Sequence, residues 1–236
     1  MVVVGYLVLS FVVSFLLGSI PWGVIISKLA FHKDLRDEGS GNIGTTNAMR
    51  ALGKVGGAAV FVLDFGKGLL AGWLAVWVIA PQVMWAEVDM MLAGDPLYGL
   101  FSSTTANGAS LVVALAFAGC TLGHVFSPWL GWHGGKGIAV AAACLVFVYG
   151  PVGFLLEIAL FALGIAITRC VSVGSIAAAV LCPILGLYYY ALPGHWLAWL
   201  IITATACVVI WAHRENIARL RAGTENKIGS KKKAEA

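Results

Sequence analysis

The sequence predicts an all-α integral membrane protein of seven transmembrane helices, on three observations. Of its 236 residues, 60% are hydrophobic and only 11% charged, where soluble domains carry about a quarter charged residues. Its apolar runs approach the ~20 residues a helix needs to cross about 30 Å of hydrocarbon, and the alternation expected of a membrane β-barrel is absent. Threaded through seven crossings, the chain places every Lys and Arg at or near one face.

The first run, residues 2–29, lacks a basic leader and a small-residue cleavage site, so it reads as a retained helix rather than a signal peptide. Further runs follow at residues 55–80, 109–130, 137–150, 152–168, 171–190 and 195–212. The fourth and fifth are short and meet at Gly150-Pro151, either a turn or a kink in one helix. A kink would export Arg169 and the segment from Arg214 to Lys233, against the positive-inside rule. A turn keeps these and the segments around Lys28 to Lys54 and Lys136 in the cytoplasm, with the N-terminus extracytoplasmic and the C-terminus cytoplasmic. The loop of residues 81–108 then lies outside and carries Glu87, Asp89 and Asp95 but no Lys or Arg.

Residues 1–236 thus read as one polytopic membrane domain, with 214–236 a basic cytoplasmic tail. Lys231, Lys232 and Lys233 would sit beside the inner leaflet, where anionic lipid attracts each basic side chain by about 1 kcal/mol. The five cysteines are odd in number, lie in or beside apolar runs and lack metal-ligand spacing, so no metal is expected and they read as apolar filler.

Four polar clusters interrupt the apolar text, all on the cytoplasmic side of this arrangement. The first, Gly39-Ser40-Gly41-Asn42-Ile43-Gly44-Thr45-Thr46-Asn47, opens onto the second crossing and is followed by Arg50 and Lys54. Small residues expose backbone N–H groups, and a helix N-terminus attracts phosphate, with Ser40 and Asn47 as added donors. The spelling fits G-x-G-x-x-G, but no βαβ unit surrounds it, so a dinucleotide fold is excluded; a flexible glycine loop is the plain alternative. The second cluster places Asp64 and Lys67 three residues apart on one helical face, a neutralising pair or a support for the site.

The third cluster runs from Gly123-His124 through Ser127-Pro128 to Gly134-Gly135-Lys136-Gly137 at the entry to the fourth crossing. It fails the P-loop pattern. Its lysine, framed by glycines, can neutralise charge on phosphoryl oxygens, or can simply set topology beside a turn. The fourth joins Ser172 and Ser175, after Arg169, with His213 and Asn216, which share a helical face. His213 is a candidate proton acceptor near neutral pH and Asn216 a hydrogen-bonding partner for a carbonyl or hydroxyl. His32 and Asp37 form a competing H-x-x-x-x-D dyad in a short charged connector.

Gly18-Ser19-Ile20-Pro21, the GSGNIGTTN loop, Asp64-x-x-Lys67-Gly68, the Gly123-His124-x-x-Ser127-Pro128 stretch with its GGKG, and His213-Arg214-Glu215-Asn216 with the residues after it occur in order along the chain. In these motifs, from about Gly5 to Lys227, the sequence closely resembles the bacterial acyl-phosphate:glycerol-3-phosphate acyltransferases of the PlsY type. His133 departs from the basic residue common before GGKG, and the outer loop looks longer than usual. The resemblance implies a seven-helix enzyme of the bacterial cytoplasmic membrane, with its site at the cytoplasmic face, no cofactor, no nucleic acid and no obligate protein partner. It would transfer a fatty acyl group from acyl phosphate to the sn-1 hydroxyl of glycerol 3-phosphate, giving lysophosphatidic acid and phosphate.

Carried over residue by residue, the resemblance makes Ser40, Arg50, Lys136, Ser175, His213 and Asn216 the catalytic set. Gly39, Gly41, Asn42, Gly44, Thr45, Thr46 and Asn47, with Gly134, Gly135 and Gly137, would hold phosphate, supported by Asp64, Lys67 and His124. Phosphate is already a good leaving group, so the serines are expected to hydrogen-bond rather than attack. The base is either His213 or a substrate phosphate oxygen. Two other functions remain to be distinguished: transport of a phosphorylated polyol, against which stand the missing internal repeat and the one-sided charge, and a thioester-dependent acyltransferase built on His32 and Asp37.

Overall fold

The structure, a computed structural model, describes residues 2–95, Tyr98 and 108–229. The Lys231–Lys233 cluster lies outside the described residues. Every regular element described is helical, as a chain that must satisfy its backbone within lipid requires.

Helix α1 (Val2–Ser19) turns Val8, Val12 and Leu16 outward as exposed apolar side chains, the surface a lipid-facing helix presents. Pro21 has no N–H and disfavours helix at the residue before it, so the chain breaks there and restarts as α2 (Trp22–Phe31). The two form one apolar stretch, Val2–Phe31. After α2 come a connector, the short α3 (Thr45–Ala51) and α4 (Gly53–Leu74), which begins at Gly53 with φ +76°.

The glycine loop therefore opens onto α3 and not directly onto the second crossing. Beyond α4, a π-helical segment (Ala75–Ile79) leads into α5 (Ala80–Leu92). The outer loop expected from residue 81 is thus helical as far as Leu92. Its centre, residues 96–97 and 99–107, lies outside the described residues.

Helix α6 (Gly108–Val125) is the most buried of the long apolar helices and packs on α1, α4, α5 and other neighbours. Small residues let the backbones meet: a Cβ at Gly119 or Gly123 would overlap the Phe11 or Phe15 carbonyl of α1, and one at Gly18 would overlap that of Cys120. Ser10 adds a hydrogen bond to the Val112 carbonyl at 2.8 Å.

Helices α7 (Ile138–Val148) and α8 (Gly150–Thr168) are separated at Gly150, φ +66°. Then follow α9 (Val171–Gly186), a π-helical segment (Leu187–Ala191), α10 (Trp196–Ala212) and α11 (Arg214–Arg221), the last bent by 53° from α10 at His213.

The chain reverses at Gly150. Tyr190 donates to the Val148 carbonyl at 2.7 Å, so the far end of α9 lies beside the end of α7. Gly174, near the start of α9, abuts Phe161 and Ile165 towards the end of α8, so α8 and α9 run antiparallel. Lys136, just before α7, and Ser172, just after α8, line one end of the same cavity, so α8 returns along α7 and Gly150-Pro151 makes a turn, not a kink.

Among the described residues, five helical stretches are long and apolar enough to cross a membrane, six if the bent pair α10 and α11 counts as one span. Helix α7 has 11 residues, about 16 Å at 1.5 Å per residue, and is short for a crossing on its own.

Candidate active site

A cavity of about 470 Å³ opens where α3, α9 and α11 begin and α10 ends. Ser40, Asn42, Gly44, Thr45, Thr46 and Asn47 line it from the glycine loop and α3. Arg50 enters from α3, Lys136 and Gly137 from the start of α7, and Ser172 and Ser175 from the first turns of α9. His213, Asn216, Arg219, Glu225 and Asn226 complete this polar end. From it an arm runs between the helices, lined by Phe61, Phe65, Phe117, Leu145, Phe161 and Ala179 among others.

The glycine loop is shaped from inside by Asn47, whose side chain is almost wholly buried. Its Oδ1 accepts from the Ser40 N–H at 3.0 Å, and its Nδ2 lies 3.2, 2.9 and 2.9 Å from the Leu35, Glu38 and Asn42 carbonyls. A Cβ at Gly39 would overlap Asn47, and Gly39 and Gly41 both have positive φ, which glycine adopts without strain. Asn42 Oδ1 accepts from the Gly44 N–H at 2.9 Å.

Several of the expected phosphate donors, those of Asn47, Gly41 and Gly44, are thus hydrogen-bonded within the loop itself. The Asn47 amide, the Gly44 N–H and the Gly41 N–H, which donates to Glu38, all have backbone or side-chain partners. Gly39 and Gly41 do not reach the cavity surface. What the loop does present is Ser40, Thr46 and Thr45, whose Oγ1 is buried without a partner among the described residues.

The GGKG segment is folded back on the end of α6. Gly134 N–H donates to the Val125 carbonyl at 2.9 Å and Gly135 N–H to that of His124 at 3.0 Å. A Cβ at Gly134 would strike the His124 carbonyl, and one at Gly135 its imidazole. These two glycines allow close packing, and their amides are paired with carbonyls at the end of α6. Gly137, at φ +81°, lets the chain turn so that Lys136 reaches the cavity.

Beneath this turn lies the support. Lys67 Nζ is 2.8 Å from Asp64 Oδ1, donates to the Ile20 carbonyl at 2.8 Å and lies 3.0 Å from His124 Nδ1. The Ile20 carbonyl is at the break before Pro21. One buried ammonium thus ties α1, α4 and α6 together, while Asp64 and His124 reach the cavity wall and Lys67 does not.

Lys136 Nζ donates to Asn216 Oδ1. Asn216 Nδ2 donates to Glu225 Oε1 at 2.7 Å, and Glu225 Oε2 accepts from Arg219 Nε at 2.7 Å. Asn216 is therefore engaged on both sides, a bridge between charges rather than a free partner for substrate. Burial holds the Lys136 ammonium below the ordinary lysine range; Arg219 and Arg50 push the same way, and Glu215 and Glu225 oppose them. For Glu225, burial acts upwards, but hydrogen bonds from Asn216 and Arg219 carry its carboxyl below the usual range.

His213, buried at the α10–α11 bend, has Nδ1 2.8 Å from the Val209 carbonyl. A carbonyl only accepts, so Nδ1 carries the proton and Nε2 keeps a free lone pair in the neutral ring. His32 and Asp37 are both exposed on the connector and line no part of this cavity.

A profile described as glycerol-3-phosphate acyltransferase matches residues 8–223. The chain belongs to the glycerol-3-phosphate acyltransferase family. The relative from Latilactobacillus sakei subsp. sakei is 38% identical over 92% of this chain and 90% of its own. The one from Rhodopseudomonas palustris is 37% identical over 97% and 99%. Among solved structures, PlsY (YgiH), an integral membrane glycerol 3-phosphate acyltransferase, matches in its glycerol 3-phosphate form with a TM-score of 0.73, 30% identity, and coverage of 94% of this chain and 96% of that one. Its lysophosphatidic acid form gives 0.70 and 28%.

This acyltransferase thus gathers all six residues of the expected catalytic set on one cavity wall. It adds Arg219 and Glu225, which sequence reasoning did not single out. Arg219 reads there as one more basic residue of a tail, and Glu225 lies beyond the last helix, where nothing in the sequence ties it to Asn216.

Proposed function

We propose that this multi-pass membrane protein transfers a fatty acyl group from acyl phosphate to the sn-1 hydroxyl of glycerol 3-phosphate, releasing lysophosphatidic acid and phosphate. The observation that carries this reading is the two-part cavity. Its polar end gathers Arg50, Lys136, Ser40 and Ser175, and its apolar arm has the character an acyl chain requires.

In the proposed reaction Arg50 and Lys136 neutralise the phosphates of both substrates and bring them together. The sn-1 oxygen attacks the acyl carbonyl carbon, the new ester C–O bond forms, and the bond from that carbon to the phosphate oxygen breaks. The electron pair leaves with phosphate. The hydroxyl proton passes to His213 Nε2, whose lone pair the Nδ1 bond to Val209 leaves available. Ser40 and Ser175 hydrogen-bond to phosphate or carbonyl oxygen, and no acyl-enzyme forms. Full turnover by His213→Gln would move the proton to a phosphate oxygen instead, and an acyl ester trapped on either serine would overturn the direct attack.

We further place the site at the cytoplasmic face of the bacterial cell membrane, with seven crossings, no cofactor and no obligate protein partner. The decisive experiment supplies purified protein with labelled glycerol 3-phosphate and either palmitoyl phosphate or palmitoyl-CoA. Labelled lysophosphatidic acid from the acyl phosphate alone is expected. Product from the thioester alone would return attention to His32 and Asp37, and product from neither to transport.

A further inference from the structure

Glu157 is 3% exposed, in the middle of α8, and neither carboxyl oxygen has a hydrogen-bond partner among the described residues. It lines the cavity, but not at the polar end. Helix α8 runs antiparallel to α9 with Phe161 beside Gly174, so one turn back along α8 Glu157 stands near the level of Ala178 to Cys182. Ala178 and Cys182 lie three and seven residues beyond Ser175 on α9, so that level is about 5–10 Å further into the arm at 1.5 Å per residue.

The cavity's basic residues, Arg50, Lys136 and Arg219, all stand at the other end. The nearby Tyr149 hydroxyl is already committed to the Cys182 carbonyl at 2.5 Å. A carboxyl group is thus held among apolar side chains on the path an acyl chain would take, with its hydrogen-bonding capacity unspent.

Buried polar groups are nearly always paired, and leaving one unpaired opposes whatever state leaves it so. An unsubstituted acyl chain threaded past Glu157 would seal that carboxyl from water without giving it a partner. A hydroxyl on the chain would accept from or donate to it. A site of this kind discriminates against the analogue that lacks the polar group.

We propose that Glu157 is a specificity-determining residue, a hydrogen-bonding station in the acyl arm that selects chains bearing a hydroxyl part-way along their length. This rests on the acyl-transfer reading above, but not on which group activates the acyl.

The test compares hexadecanoyl phosphate with a series of monohydroxy hexadecanoyl phosphates, the hydroxyl moved along the chain, using full-length protein in lipid nanodiscs. The readout is the ratio of kcat/KM for hydroxylated over unsubstituted donor within one preparation, so a partial folding defect cancels. The wild type should favour one hydroxyl position by roughly tenfold. Glu157→Leu should bring that ratio to one or below, and Glu157→Gln should keep most of it. Absence of any favoured position in the wild type, or an unchanged ratio in Glu157→Leu, overturns the assignment. If only thioester donors turn over, the same series is run as thioesters, so loss of the acyl-phosphate reading leaves the Glu157 test intact.

Discussion

Lys136 shows at the scale of one residue how the site trades stability for binding. Its ammonium is partly withdrawn from water and shares its surroundings with Arg50 and Arg219, so its proton is held less tightly than in free lysine. A bound phosphate reverses that balance and favours the charged form. Affinity for glycerol 3-phosphate should therefore fall as pH rises through the lowered lysine value, earlier than an ordinary lysine would lose its charge. Lys136→Arg, whose guanidinium keeps its proton, should abolish this alkaline rise in KM while lowering kcat through altered geometry. Steady-state KM against pH for the two proteins checks it. Asn47 makes the opposite bargain, spending its whole amide on four backbone groups of the glycine loop. With about 1 kcal/mol for each net hydrogen bond, Asn47→Ala should destabilise the loop by about 2–4 kcal/mol, read as lower thermal stability in detergent and a raised KM for glycerol 3-phosphate.

At the scale of elements, glycines decide where helices may touch. Gly135 lies against the His124 imidazole, which in turn rests on Lys67, so a methyl there pushes on the whole support under Lys136. Gly135→Ala should cut kcat at least tenfold. Gly66→Ala, on α4 where an added Cβ meets nothing within 4 Å, should leave it unchanged. Acyl transfer by membranes carrying equal amounts of each protein distinguishes them. The elements also show which features a sequence displays. The apolar runs are legible, and the turn at Gly150-Pro151 is legible through the basic residues that a kink would export; the break at Pro21 is not, since residues 2–29 read as one continuous apolar run. Helix α3 is not, since seven residues between glycines carry no periodic signal. The Asn47 hub is illegible for another reason: its partners are backbone groups, identical in every residue. Lys136 and Arg50 stand out as cations beside glycines, whereas Glu225 gains its place only when α11 folds back and brings it to Asn216 and Arg219.

For the molecule as a whole, the polar end of the cavity and the basic residues lie together, and this constrains how the chain sits in a bilayer. Lys28, Lys33, Arg36, Arg50, Lys136, Arg169 and Arg214 to Arg221 flank or line one end of the helices, while α5 carries Glu87 and Asp89 without a basic residue. If the basic end is cytoplasmic, as the positive-inside rule favours, glycerol 3-phosphate in the cytoplasm would reach Arg50 and Lys136 without crossing lipid, and an acyl chain would enter the arm from the membrane. Single cysteines test this orientation in intact cells of a Cys207→Ser background, the other native cysteines being buried. Asp89→Cys should react with an impermeant maleimide from outside, whereas Lys33→Cys and Arg221→Cys should react only after the membrane is opened. The reverse pattern would put the phosphate end outside, deny a cytoplasmic substrate access to Arg50 and Lys136, and overturn the cytoplasmic placement of the site.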